Sequence, residues 1–239
     1  MRTFRAASLP VPGAVLISVL LLFWSTGCRK SATETSDDSS SFLFINASLH
    51  WPEVNIYANG SLLYPNLGFP DSTGYLSPAF PLNSLSLVSP GDSDTLVNLQ
   101  EVVEPRKTYS VFVIDTGATG NAQATVIPDS FPPVPSGYVL IRFLNFSYSE
   151  PNLDLYSVSN SQYLFTDRYF NESDPFATTF TPVPAGTYTL ELRATGAIIA
   201  LAKINGIALQ EGKMYTFFSE GILGGPGNSV FKLAWLQDN

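Results

Sequence analysis

His50 is the chain's one histidine, and it bounds the chemistry the sequence can carry. Zinc sites built on several histidines are excluded, and a Ser-His-Asp nucleophile would have to use this residue, beside Trp51 and Pro52 in a predicted loop. No Gly-rich phosphate loop, G-x-S-x-G elbow or H-E-x-x-H pair occurs. Carboxylates are plentiful, at 20 Asp+Glu, and a glycoside-hydrolysing pair meets only in space, so a hydrolase with acids across a domain interface stays open as a reading. Gly91-Asp92-Ser93-Asp94 offers oxygen ligands in a turn but lacks the spacing and the further acid of a defined calcium loop. It reads as a solvated turn, and Asp37-Asp38 as tether polarity. The expectation is a protein that is not an enzyme, with no catalytic residue, no metal and no cofactor.

Covalent chemistry is expected at Cys28, the only cysteine. Arg2 and Arg5 supply a positive start, Val15 to Trp24 an apolar run, and Ser25-Thr26-Gly27 a small-residue exit, the grammar of a secretory signal over residues 1–27. A lone cysteine in an exported chain has no internal disulfide partner. Small residues before it and a polar tail after it resemble the lipobox of bacterial lipoproteins, whose cysteine becomes the lipid-bearing first residue. Ser25 departs from the leucine usual at that place; the alternative is a conventional signal that simply ends at Cys28. Several acyl chains, palmitate among them, give the stable anchoring that one chain cannot. The expected location is the cell envelope, on the outer membrane through a lipid anchor.

Removing residues 1–27 takes away two arginines and no acid, leaving 10 Lys+Arg against 20 Asp+Glu, a formal charge of −10. Nucleic acid and anionic lipid surfaces are poor partners for such a chain, and the acidity reads as solubility. Residues 28–41, Ser/Thr-rich after Cys28 and without apolar periodicity, form a flexible tether. Its reach is roughly 20 Å by random-coil scaling.

Modification and recognition have weaker signals. N-x-S sequons at Asn46, Asn59, Asn145 and Asn171 are better explained as structural asparagines in a bacterial protein. Asp71-Ser72-Thr73 and Asp94-Thr95-Leu96 resemble a short bacterial O-glycosylation motif, making Ser72 and Thr95 candidate acceptors. Aromatics form 13 % of the chain. Trp51, Phe69, Tyr75, Tyr163, Tyr169 and Phe170 fall in predicted loops, where they would either stack on a glycan or protein partner or plug the ends of a sandwich.

These residues must be positioned by strands. Val139 to Tyr156, VLIRFLNFSYSEPNLDLY, repeats more loosely at Phe42 to Tyr57, FLFINASLHWPEVNIY: Asn46, Ser48 and Tyr57 fall on Asn145, Ser147 and Tyr156 at one offset of 99. Lys107-Thr108-Tyr109 recurs as Lys213-Met214-Tyr215 at 106, with the extra residues in a loop. A domain-sized offset means tandem copies of one unit. Short apolar runs cut by turns, Asn59-Gly60 between two of them, and alternation through Thr187 to Arg193 are strand grammar. The fold class is therefore all-β, two tandem immunoglobulin-like antiparallel β-sandwich domains of seven or eight strands. The first spans 42–128 and the second 138–239, joined by a Pro-rich linker at 129–137 that holds them at a restricted but not fixed distance.

RFLNFSYSEPNLDLY, PAGTYTLELRATG and LQEGKMYTFF are similar to the opening strands, the PAGTY turn-strand and the Lys-x-Tyr-Thr strand of the domain of unknown function 4397 family, common in Bacteroidota envelope lipoproteins. The resemblance is good over Tyr138 to Asn239 and weaker over Phe42 to Pro128, where PLNSL stands for PAGTY. The family implies a fold and an envelope setting but no catalytic residue. The functional expectation is a non-enzymatic envelope lipoprotein serving as a binding, adhesion or spacer module; the alternatives are a carbohydrate-binding accessory protein and the interface hydrolase.

Overall fold

A computed structural model describes residues 38–91, 95–99, 104–117, 120–149 and 152–238; Cys28, Asp92 and Asp94 lie outside them. Ser36–Asn239 forms one compact unit. Its first half contains β1 (Ser41–Asn46), β2 (Glu53–Ala58), β3 (Ser61–Gly68), β4 (Asp71–Ser72), β5 (Leu85–Val88), β6 (Thr95–Leu99), β7 (Thr108–Asp115) and β8 (Ala122–Asp129). The second contains β9 (Tyr138–Asn145), β10 (Leu153–Ser157), β11 (Gln162–Arg168), one short helix α1 (Pro175–Thr178), β12 (Thr181–Pro184), β13 (Gly186–Ala194), β14 (Ala200–Leu209), β15 (Met214–Glu220) and β16 (Lys232–Gln237).

The halves share one wiring. Sheets β4-β1-β7-β8 and β3-β2-β5-β6 make the first sandwich, and β12-β9-β15-β16 and β11-β10-β13-β14 the second. β1 runs parallel to β7, and β9 parallel to β15, so two of the four otherwise antiparallel sheets are mixed. The all-β, two-sandwich expectation holds.

Local chemistry recurs with the wiring. Asn59 and Gly60 both take positive φ, 50° and 75°, as a two-residue hairpin turn between β2 and β3 requires. The Asn55 side chain accepts from Asn66 N–H at 2.8 Å, and its counterpart Asp154 accepts from Asp167 N–H at 2.8 Å. Asn66 and Asp167 themselves sit at positive φ, where β3 and β11 slip register against their partners. Tyr109 Oη accepts from Glu104 N–H and Tyr215 Oη from Gln210 N–H, each at 3.1 Å and each five residues back. These are tyrosine corners at the start of equivalent strands, and they explain why the Tyr109–Tyr215 match is strict. Gly212 supplies the left-handed residue of the second corner at φ 79°; in the first copy Arg106 takes φ 60° and pairs with Asp38.

Each sandwich encloses its own core, Phe44, Val54, Ile56 and Leu87 in the first and Phe143, Leu155, Leu190 and Phe217 in the second. A third apolar cluster joins them. Leu43, Ile45, Phe112, Ile114 and Ile127 of the first pack with Leu144, Phe146 and Phe218 of the second. Strands β1, β7, β9 and β15 are therefore buried on both faces almost from end to end. The expectation of two units at a restricted but not fixed distance is corrected: the sheets β4-β1-β7-β8 and β12-β9-β15-β16 meet back to back. Proline-rich residues 130–137 cross between β8 and β9 outside any strand.

Candidate functional site

His50 proves structural in its surroundings. Its Nδ1 lies 3.2 Å from Asp115 Oδ2, and the same carboxylate accepts from Leu49 N–H at 2.7 Å and from the Ser48 hydroxyl. Asp115 thus sits between serine and histidine, whereas a nucleophilic triad needs the histidine in the middle to take the serine proton. The arrangement ties the β1–β2 loop to the end of β7. Among the described residues no group of three or more His, Cys, Asp and Glu is placed to hold a metal ion.

The matched asparagines are brackets for the chain. Asn46 donates to the carbonyls of Trp51 and Leu67 and accepts from Ser48 N–H; Asn145 donates to Arg168 and accepts from Ser147 N–H and the Ser219 hydroxyl. Asn171 accepts from Thr125 across the seam at 2.6 Å. Ser72 and Thr95 are exposed on strands.

The loop aromatics are dispersed. Trp51 packs against the first core and donates Nε1–H to the Gly120 carbonyl at 2.8 Å. Tyr75 donates to Asp129 at 3.1 Å and meets Phe131 edge-on, and Phe170 packs against the seam cluster. Tyr163 is corrected from a loop to strand β11, where it pairs with Tyr156 and lies edge-on to its ring; Tyr156 carries the Arg193 guanidinium 3.5 Å above its ring. Tyr169 is half-exposed near α1, and Phe69 faces Lys232 Nζ at 5.5 Å.

The charged chemistry lies at the seam. Arg142 on β9 is fully buried, its Nη2 2.8 Å from Asp129 Oδ1 and 3.4 Å from Asp238 Oδ1, its Nε donating to Thr216 Oγ1 at 2.7 Å. The Phe180 ring lies 4.6 Å from the guanidinium carbon, and Nη1 has no hydrogen-bond partner. Asp129 pairs with Thr108 in β8–β7 as Asp238 extends the pairing of β16 onto Met214, so the two acids are structural equivalents from opposite halves. One cation holds both. Burial pushes the Asp238 carboxyl up to about 6 despite Arg142, from an ordinary 3.8. Between those values the folded chain binds more protons than the unfolded one, so this contribution to stability is greatest near pH 4 and falls as pH rises through 6. Asp238→Asn cannot ionise, and its unfolding free energy should rise relative to wild type by about 2 kcal/mol between pH 4 and pH 7.5. Urea unfolding at both values checks this; parallel pH profiles for the two proteins would contradict it.

A cleft of about 440 Å³ opens along the seam. The first sandwich lines it with Ile45, Asp71 and Ser72, the second with Phe218, Glu220, Lys232 and Trp235. Glu220 ends β15 and is only 1 % exposed, yet Lys232 Nζ, 2.8 Å from its Oε1, is placed as an ion pair without hydrogen-bond geometry. Oε2 has no hydrogen-bond partner, and burial raises the carboxyl's pKa, with Lys232 opposing. Trp235 is 46 % exposed on β16, its ring 5.9 Å from Tyr215. Phe69, through Lys232, is the one loop aromatic from the sequence reading that approaches this cleft; Glu220 and Trp235 were missed as site residues. A signal existed: at the offset of 106 Glu220 falls on Ile114, an acid where the first copy buries an apolar side chain in the seam.

No curated protein matches the chain. Two solved structures are similar at low level. A streptococcal virulence factor described for its alpha-glucan binding has 11% identity and a TM-score of 0.24, the likeness covering 75% of this chain and 92% of that one. The Bacillus anthracis TIE protein has 13% identity and a TM-score of 0.21, over 76% of this chain and 34% of that one, so the chain spans about a third of its length. Likenesses this slight bear on neither fold nor ligand. Residues 40–156, the first sandwich with the first two strands of the second, match the family described as domain of unknown function DUF4397, which supports the family read from the motifs and places the match mainly in the copy where those motifs are weaker.

Proposed function

We propose that the protein is a non-enzymatic binding module of the cell envelope, exported, acylated at Cys28 and held on the outer membrane by residues 28–41 as a tether. The observation that carries the binding reading is the seam cleft, a concave site of small-molecule size that residues of both sandwiches line. Two sandwiches fused back to back present such a cleft in a fixed shape, which lowers the ordering cost of binding.

Metabolic labelling of the full-length chain with an alkyne fatty acid tests the anchor. Label and membrane retention should both vanish in Cys28→Ala, whose precursor should also stay uncleaved at residue 27; an unlabelled, freely released wild-type protein would refute the anchoring. The hydrolase reading keeps one observation in its favour, since Asp71 and Glu220 line the same cleft. Turnover that Glu220→Gln abolishes would replace binding by catalysis.

A further inference from the structure

We propose that the open edge of β16, where it borders the seam cleft, takes up an extended peptide strand of a partner, uncharged or basic, with apolar side chains at alternate positions. The proposal rests on the binding-module reading and gives it a partner class.

The cleft touches both faces of one strand. Trp235 lies on the face of β16 that carries Leu233 and packs toward Tyr215; Lys232, Ala234 and Leu236 lie on the face turned to Glu220 and the seam. All five of these β16 residues line the cleft, so it wraps round the edge of the strand instead of lying against one face. A single flat ring reaches one face only. A strand laid beside the edge sends successive side chains to both.

The edge itself is open. β16 is the last strand of its sheet and pairs with β15 alone; Ile204 on β14 borders the cleft, but β14 belongs to the other sheet. Asp238 N–H donates to the Met214 carbonyl at 2.9 Å, so by antiparallel alternation Lys232, Ala234 and Leu236 direct their backbone groups at β15. Those of Leu233 and Trp235 point the other way, as donors and acceptors for one more strand.

The seam supplies the apolar half of the site. Ile45, Phe218, Ala234 and Leu236 belong both to the seam cluster and to the cleft, so apolar side chains of an added strand continue an interface already built. The counterpart margin shows what such an interface takes. Asp129 falls on Asp238 at an offset of 109, so Thr125 falls on Ala234. There the chain's own segment crosses the margin, Asn171 accepting from Thr125 at 2.6 Å and Phe170 packing into the seam cluster. Asp71 is exposed at the rim of the cleft and the chain carries a formal −8, which selects against an acidic peptide.

Fluorescence anisotropy of the full-length protein in detergent, with labelled hexapeptides that alternate Val, Leu, Phe or Tyr with Thr and end in Lys or Glu, tests the edge. A Lys-ended peptide should bind, and more tightly than its Glu-ended form. Methylating the backbone nitrogens of one alternate set of its residues should weaken binding by about ten-fold, and methylating the other set should leave it unchanged. In the complex the amide protons of Leu233 and Trp235 should exchange about ten-fold more slowly, while that of Ala234, already bonded to β15, changes little. Trp235→Pro removes an amide that β15 does not use and should weaken binding by about ten-fold, whereas Tyr169→Ala should bind as wild type. Thermal melts of both variants separate lost binding from lost folding. Binding by no peptide, equal losses from the two methylated sets, or exchange protection away from β16 would each overturn the proposal. Maltohexaose binding without peptide binding would overturn it too while upholding the binding-module reading, and fatty-acid labelling of the same protein reports independently on the anchor.

Discussion

Arg142→Leu should destabilise the protein by about 3–5 kcal/mol at pH 7.5, although leucine is the residue at the matching place of the first copy, Leu43. The cost comes from what stays behind. Asp129 and Asp238 have fully buried side chains, and the guanidinium between them is the cation that the structure gives them. Removing it leaves two carboxylates in low dielectric with, among the described residues, Ser110, Tyr75 and Thr216 as donors. The penalty should shrink toward pH 4.5, where Asp238, whose carboxyl burial raises to about 6, takes up a proton and becomes neutral. The triple variant Arg142→Leu with Asp129→Asn and Asp238→Asn should recover most of the loss, because the whole buried set is then uncharged. Urea unfolding at the two pH values measures all three terms. A single variant within 1 kcal/mol of wild type, or a triple variant no better than the single, would show that the knot is not what the geometry says.

Much of the fold was legible from chemistry that repeats. Asn59-Gly60 fixes a turn by its backbone alone, and the 99-residue offset follows from Asn46 and Asn145, which hold the same loop by the same hydrogen bonds. The seam was not legible, and the reason is physical. A strand buried on one face alternates, as Tyr188, Leu190 and Leu192 do against Thr187 and Thr189; a strand buried on both reads as a continuous apolar run. Phe42 to Ile45 and Met214 to Phe218 are such runs, and their second face carries the seam. A polar intrusion marks it as well. Arg142 interrupts VLIRFL in the middle of a run with no other charge, and buried charges in such a place are paired.

The site was less legible still. The sequence puts its candidate ligand-facing aromatics in loops, the common place of recognition residues at sandwich ends. The cleft lies instead along strand β16 and the end of β15, where Trp235 alternates with side chains that face the seam. It exists because two sheets meet back to back and leave a gap at one margin, a feature of packing that no single strand encodes. The informative comparison was within the chain: positions where one copy is apolar and the other charged, Ile114 against Glu220 and Leu43 against Arg142, are where the second half departs from framework.

Phe112→Ala should cost about 3–5 kcal/mol and lower the melting temperature by roughly 10 °C, the largest effect expected of a side chain outside either sandwich core. Phe112 is fully buried, its ring 4.7 Å from Phe146 and 5.5 Å from Phe218. Phe218 is its own counterpart at the offset of 106, so the same position of each copy meets at the seam. If the sandwiches were separate bodies on a spacer, this ring would face water and its truncation would change little. In a fused pair it removes the aromatic centre of the joint, and the cavity falls where neither core can relax to fill it. Calorimetry should show one cooperative transition in wild type, and a broadened or split one in the variant as the halves uncouple. Trypsin cannot cut the arginine- and lysine-free stretch 130–137, so a broad-specificity protease is the matched probe: proteinase K should leave wild type intact there and nick the variant. A loss under 1 kcal/mol with unchanged proteolysis would mean that the two halves do not depend on this contact, and that the cleft beside it has no fixed walls.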